Sequence, residues 1–263
     1  MLVLAACGSD DKESSEAKKV SIEATGKGKN VKLNAPKSVD GGVVEITFKN
    51  SADSGQEAQL VKVEGDHSVD EVLKVIGSRE PVPIPSWMKG GGGVGEIEPG
   101  KTATATQDLG AGKYYVVGAA ERGKPPTATL TVEGEGGGEL PKTDAKITAK
   151  DYSFTTSNLK SGSKQVAFEN TGRELHHVVA LPMRKGATLA DVKKFAASEG
   201  KSDGPPPVEE KGARNSAVID SGIRQVIDLP LKKGNYALLC FITDRKGGPP
   251  HVAKGMVSQA TVK

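Results

Sequence analysis

Apolar and polar residues alternate over short stretches of this chain, and Gly, Asn and Pro close each stretch. Val20-Ser21-Ile22-Glu23-Ala24, Val43-Val44-Glu45-Ile46-Thr47-Phe48 and Thr129-Leu130-Thr131-Val132 follow a period of two. That spacing puts one face of a strand on a core and the other in water. Such runs, with turn residues between them, predict an all-β protein built of antiparallel sandwiches. Two segments depart from the period. Ser68-x-x-Glu71 and Thr188-x-x-Asp191 are capping-box patterns, in which side chains satisfy the free N–H groups of a first helical turn, so each predicts one short helix in a connection.

The same order of features occurs twice, ~120 residues apart. Val44-Glu45-Ile46-Thr47-Phe48-Lys49-Asn50 is echoed by Gln165-Val166-Ala167-Phe168-Glu169-Asn170, and Leu60-Val61-Lys62-Val63 by Val178-Val179-Ala180-Leu181. Gly112-Lys113-Tyr114-Tyr115-Val116-Val117-Gly118 is echoed by Gly234-Asn235-Tyr236-Ala237-Leu238-Leu239-Cys240, and both copies run on to a Pro-Pro pair, Pro125-Pro126 and Pro249-Pro250. Between the copies, Glu133-Gly134-Glu135-Gly136-Gly137-Gly138-Glu139 has nothing apolar to bury and reads as a flexible acidic linker. The expected division is a leader and tether at 1–18, a first sandwich at 19–133, a linker at 134–142 and a second sandwich at 143–263. Gly90 to Gly93 reads as a loop, without the Gly-Lys-Ser/Thr that a phosphate cradle needs.

With 263 residues the chain is long enough for two cores. Lys and Arg number 36 against 33 Asp and Glu, a net charge of +3 with no dense basic stripe, which argues against a nucleic-acid partner. No apolar run approaches the ~18–20 residues of a membrane-spanning helix. Two cysteines and four histidines are too few for a disulfide scaffold, a multi-zinc module or an iron–sulfur ferredoxin.

Near the start, Leu4-Ala5-Ala6-Cys7 is followed by a polar, charged run. This resembles the lipobox of bacterial lipoproteins, behind an apolar stretch shorter than a full signal peptide. The resemblance implies that residues 1–6 are cleaved, that Cys7 carries the lipid, and that Ser9 to Lys19 tether the body to the extracytoplasmic side of the cell envelope, periplasmic or extracellular. Cys240 would then have no disulfide partner.

The copies differ in one set of residues. The second holds His176-His177, Cys240, His251 and Met256; the first has Ala58-Gln59 in place of the His pair, Gly118 in place of Cys240 and Thr127 after its prolines. A soft thiolate, two imidazoles and a weak thioether make a trigonal site with an axial ligand, which suits both Cu(I) and Cu(II) and lessens the rearrangement when an electron moves. Ten residues separate Cys240 from His251, so the loop must double back, with Gly247-Gly248-Pro249-Pro250 as the turn. Strand alternation sends His176 and His177 to opposite faces, so only one of them can face Cys240. Taken singly, a buried Cys or a late Met is a packing residue. It is their joint occurrence in one copy, and joint absence from the other, that points to a metal.

Asn170-Thr171-Gly172-Arg173-Glu174-Leu175-His176, Gly234-Asn235-Tyr236-Ala237-Leu238-Leu239-Cys240 and His251-Val252-Ala253-Lys254-Gly255-Met256 resemble the motifs of the cupredoxins, the blue-copper family of plastocyanin, azurin and the copper nitrite reductases. The resemblance spans 143–263, and without the ligands it extends to 19–133. It implies two tandem Greek-key sandwiches and one type 1 copper per chain, held by His176, Cys240, His251 and axial Met256, with His177 as the alternative to His176 or a brace beside it. It implies a one-electron carrier with a transient redox protein partner, docking on an apolar patch of Pro249, Pro250, Val252 and Ala253 around a near-surface His251. Copper storage or delivery without redox turnover, and a metal-free envelope scaffold, are the other classes. The residue beside the cysteine is Leu239, and too few histidines remain for a second copper centre, so the expectation is a protein that is not an enzyme.

Overall fold

The computed structural model describes residues 17–78, 82–120, 123–198, 200 and 204–263. Cys7 and almost all of the expected tether lie outside the described residues. The first half forms β1 (Lys18–Gly26), β2 (Lys32–Asn34), β3 (Ser38–Asp40), β4 (Gly42–Ala52), β5 (Gln56–Val63), α1 (Val69–Ile76), β6 (Met88–Ile97), β7 (Thr102–Leu109), β8 (Gly112–Val117) and β9 (Thr127–Glu133). The second forms β10 (Lys146–Lys150), β11 (Ser153–Ser157), β12 (Gln165–Asn170), β13 (Val179–Pro182), α2 (Leu189–Ala197), β14 (Arg214–Asn215), β15 (Arg224–Asp228), β16 (Gly234–Leu239) and β17 (Val257–Val262).

The protein is all-β, and the repeat read from the sequence is a repeat of sheet topology. The run β2-β1-β4-β7 in the first half matches β11-β10-β12-β15 in the second, and β9-β8-β5-β6 matches β17-β16-β13-β14. Pairing is mostly antiparallel; β1 with β4, β10 with β12 and β3 with β9 are parallel. β7 and β15 pair antiparallel, Gln107 opposite Gln225 and Ala105 opposite Ile227, so the matching sheets of the two halves join into one of eight strands. One buried cluster runs through both halves, from Ile46, Phe48, Leu60 and Leu130 to Ile147, Phe168, Leu238 and Val262, and it includes Cys240 and Met256.

Both capping boxes form as read. Ser68 Oγ accepts the Glu71 N–H while Glu71 accepts the Ser68 N–H, and Thr188 and Asp191 do the same. α1 covers Val61, Val63 and Met88, with Trp87 at the rim; α2 covers Val208, Ala237, Leu239 and Val252. Gly90 to Gly93 is not a loop but part of β6. Its residues lie against Leu60, Ala58 and Ile219 so closely that a Cβ on Gly93 would sit 2.1 Å from the Ala58 carbonyl oxygen. Without side chains this strand shows no alternation, and that hid it in the sequence. The 134–142 segment forms no strand, yet Gly137 N–H donates to Asp108 Oδ1 at 2.7 Å and ties it to the first half.

Candidate metal centre

The centre begins with a turn that both halves share. Asn50 Nδ2 donates to the carbonyls of Ser54 (2.8 Å) and Ile97 (2.9 Å), and its Oδ1 accepts Ala52 N–H. Asn170 does the same with Glu174 (2.8 Å), Ile219 (3.1 Å) and Gly172 N–H. In the second half this turn delivers His176, whose backbone exchanges both hydrogen bonds with Ile219. Cys240 directly follows β16. The loop after it doubles back as the spacing requires: Gly247 N–H bonds the Asp244 carbonyl, His251 N–H bonds that of Ile242, and Val252 N–H bonds that of Cys240.

Three side chains converge there. Cys240 Sγ lies 3.7 Å from His176 Nδ1 and 3.5 Å from His251 Nδ1, and the two Nδ1 atoms are 3.2 Å apart. All three residues are fully buried. A point equidistant from atoms with these separations lies about 2.0 Å from each, close to the bond lengths a first-row metal makes to nitrogen and sulfur. Among the described residues this is the one group of three or more Cys, His, Asp or Glu side chains close enough to share an ion. Met256 is fully buried in the same core cluster and donates its N–H to the His251 carbonyl at 2.9 Å.

The outward nitrogens of both rings end on carboxylates. His176 Nε2 is 2.8 Å from Asp151 Oδ1, and His251 Nε2 is 3.0 Å from Asp244 Oδ1. Asp151 also accepts the N–H groups of Arg173 and Glu174; Asp244 also accepts the Tyr152 hydroxyl at 2.9 Å and pairs with Lys254. A ring that gives its Nε2–H to a carboxylate turns its Nδ1 lone pair inward, where a metal would use it. Neither carboxylate was foreseen. Asp151 stands 25 residues before its imidazole and Asp244 seven before, and no motif marks either.

The charges follow from burial. Loss of water pushes the Cys240 thiol up to about 11, and it pushes the His251 ring down to about 4, helped by the neighbouring His176 and opposed by Asp244. Burial also lowers His176, against the pull of Asp151. Burial would raise both carboxyls, but the hydrogen bonds they accept hold each below its ordinary value. A cation entering the trio would therefore displace the thiol proton and meet neutral imidazoles ready to bind.

The remaining histidines fall elsewhere. His177 faces away from the trio and accepts the Phe241 N–H on its Nε2 at 3.0 Å. His67 stacks on Trp87 with 3.9 Å between ring centres. Of the apolar patch expected around His251, Pro249 and Ala253 are exposed and Pro250 is half-buried, while Val252 is buried under α2 and His251 itself has no exposed edge. The large hydrophobic side chain exposed in this loop is Phe241, next to Cys240. In the first half, the site of the missing thiol is filled. A Cβ on Gly118 would sit 2.8 Å from Pro126 Cγ and 3.0 Å from Gln56 Oε1, and the residue standing where His176 stands in the second half is buried Gln56, paired with Ile97 as His176 is with Ile219, not the Ala58 that the sequence alignment of the copies suggested.

No family model and no curated protein matches the chain. Among solved structures it is similar to a copper nitrite reductase from Nitrosomonas europaea, at 15% identity over 94% of each chain with a TM-score of 0.28. It is similar to auracyanin B, at 18% identity over 47% of this chain and 93% of that one, TM-score 0.28. An auracyanin from Roseiflexus castenholzii aligns at 20% identity over 45% of this chain and 94% of its own, TM-score 0.27.

Proposed function

We propose that this chain is a cupredoxin-like copper protein that carries single electrons, with one type 1 copper held in its second half by His176, Cys240 and His251 and by Met256 as the axial ligand. The supporting observation is the convergence of one thiol and two imidazole Nδ1 atoms around a common point, in a buried pocket whose rings are already held in the metal-ready tautomer. Copper there supplies a one-electron couple. The chain's own residues supply a soft thiolate, a frame that fixes three ligands in advance, and exclusion of water. Phe241, bonded through the backbone to Cys240 and 48% exposed, gives the thiolate a short covalent route to the surface, where a transient redox partner would dock.

The same reading takes the protein as an electron carrier, not an enzyme. Of its four histidines two belong to the centre, one stacks on Trp87 and one accepts a backbone N–H. We read Cys7 as lipid-bearing, which would anchor the protein to the extracytoplasmic side of the cell envelope, periplasmic or extracellular; no helix among the described residues is long and apolar enough to span a membrane.

Cu(II) added to the full chain should give the intense visible charge-transfer band of a copper thiolate. Cys240→Ala should abolish the band, and Met256→Leu should shift it and the reduction potential without removing it. A chain that takes up no copper, or binds it without Cys240, refutes the proposal. Copper uptake without a reversible one-electron wave leaves storage or delivery as the function.

A further inference from the structure

The two carboxylates behind the imidazoles do more than fix a tautomer, and they lie outside every motif that pointed to the metal. Asp151 and Asp244 are 24% and 20% exposed, so their charges act through partly dehydrated surroundings on rings that are wholly buried. Once the thiol has lost its proton, thiolate, Asp151 and Asp244 carry three negative charges, and Lys254 on Asp244 returns one positive charge. The residual charge of minus two is balanced by a divalent ion and left half unbalanced by a monovalent one. Each carboxylate also draws the Nε2 proton of its ring, which makes the inward Nδ1 a stronger donor, and a stronger donor favours the ion of higher charge.

We propose that Asp151 and Asp244 are positioning residues that bias the His176–Cys240–His251 centre towards divalent ions, and so stabilise Cu(II) over Cu(I). The inference rests on the copper reading above but is not bound to copper, because a redox-inert divalent ion tests it equally.

The experiment uses the full chain, titrated with Co(II) and, under reducing conditions, with Cu(I) against a competing chelator, and the potential of the copper form is measured by voltammetry. Asp244→Asn keeps an acceptor beside Nε2 and removes the charge. It should weaken Co(II) binding 10- to 100-fold and Cu(I) binding by less, and it should raise the potential by about 59 mV for each tenfold change in the ratio of Cu(II) to Cu(I) affinity. Asp151 also holds the Arg173 and Glu174 N–H groups, so Asp151→Asn is read beside Tyr152→Phe, which takes one hydrogen bond from Asp244, leaves more of its charge for the His251 ring and should lower the potential by a smaller amount. In Asp244→Asn, equal weakening of both ions, or an unchanged or lower potential, overturns the bias and leaves the copper centre standing. Co(II) binding that follows the expected pattern in a chain that takes no copper sinks the copper reading and sustains the bias. Wild-type protein that binds neither ion removes both.

Discussion

At the scale of single residues, type and order carried the ligands and only contact carried their supports. Cys240, His251 and Met256 follow one another in a loop, and Asn170 precedes His176 at a fixed distance, so a linear reading reaches them. Asp151 and Asp244 are ordinary carboxylates in a chain with 33 acidic residues, and nothing separates them from the others until the fold puts them on Nε2. Glu57 is another residue visible only after folding. Burial first, and the nearby Glu96 charge second, raise its carboxyl from an ordinary 4.5 to about 7. Between those two pH values the folded chain keeps a proton that the unfolded chain has released, so stability is unaffected below 4.5, falls as pH rises through the window, and stays reduced above 7. Glu57→Gln should therefore gain up to about 3 kcal/mol over wild type at pH 8 and nothing at pH 4, measured by urea unfolding at the two pH values. An equal gain at both pH values would assign the effect to packing and not to charge.

Elements were legible where a local rule fixes them. The two helices start at the residues their capping boxes name, because such a box is a contract between side chain and backbone within four residues. Ser68→Ala and Thr188→Ala should each cost about 1 kcal/mol in denaturant unfolding. Neither should disturb a bound metal, since both caps are exposed and neither touches the trio. β6 shows the opposite case. Its glycines are chosen for what lies against them, on other strands and in the other half, and local pattern carries no trace of that. Gly93 has a φ of +108°, and any Cβ there meets the Ala58 carbonyl. Gly93→Ala combines a strained backbone with a hard clash and should cost well above the cap variants, in the range of about 4 kcal/mol or more where single changes stop being tolerated.

For the molecule as a whole, the duplication was plain in the order of features, while the joint between the copies had no sequence signal, since strand pairing across two halves has no period. That joint runs through both layers. β7 pairs with β15, and Asp228 accepts the N–H and hydroxyl of Thr104. In the other layer the Gln59 side chain bonds the backbone of Val218 in both directions, and Asp220 N–H bonds the Gly90 carbonyl. Arg245, within the ligand loop itself, reaches across to the carbonyls of Pro85 and Met88, and Ile84 N–H bonds the Arg245 carbonyl in return. The half that lacks the Cys–His trio thus grips the loop of the half that has it. Residues 143–263 made alone would bare the β15 edge with its unpaired N–H and C=O groups, a template for a second copy, and would release Arg245. The isolated half should show concentration-dependent dimers in sedimentation where the full chain shows none, and should surrender copper to a chelator faster. A monomeric fragment with the full chain's rate of copper loss would show that the first half contributes nothing to the centre.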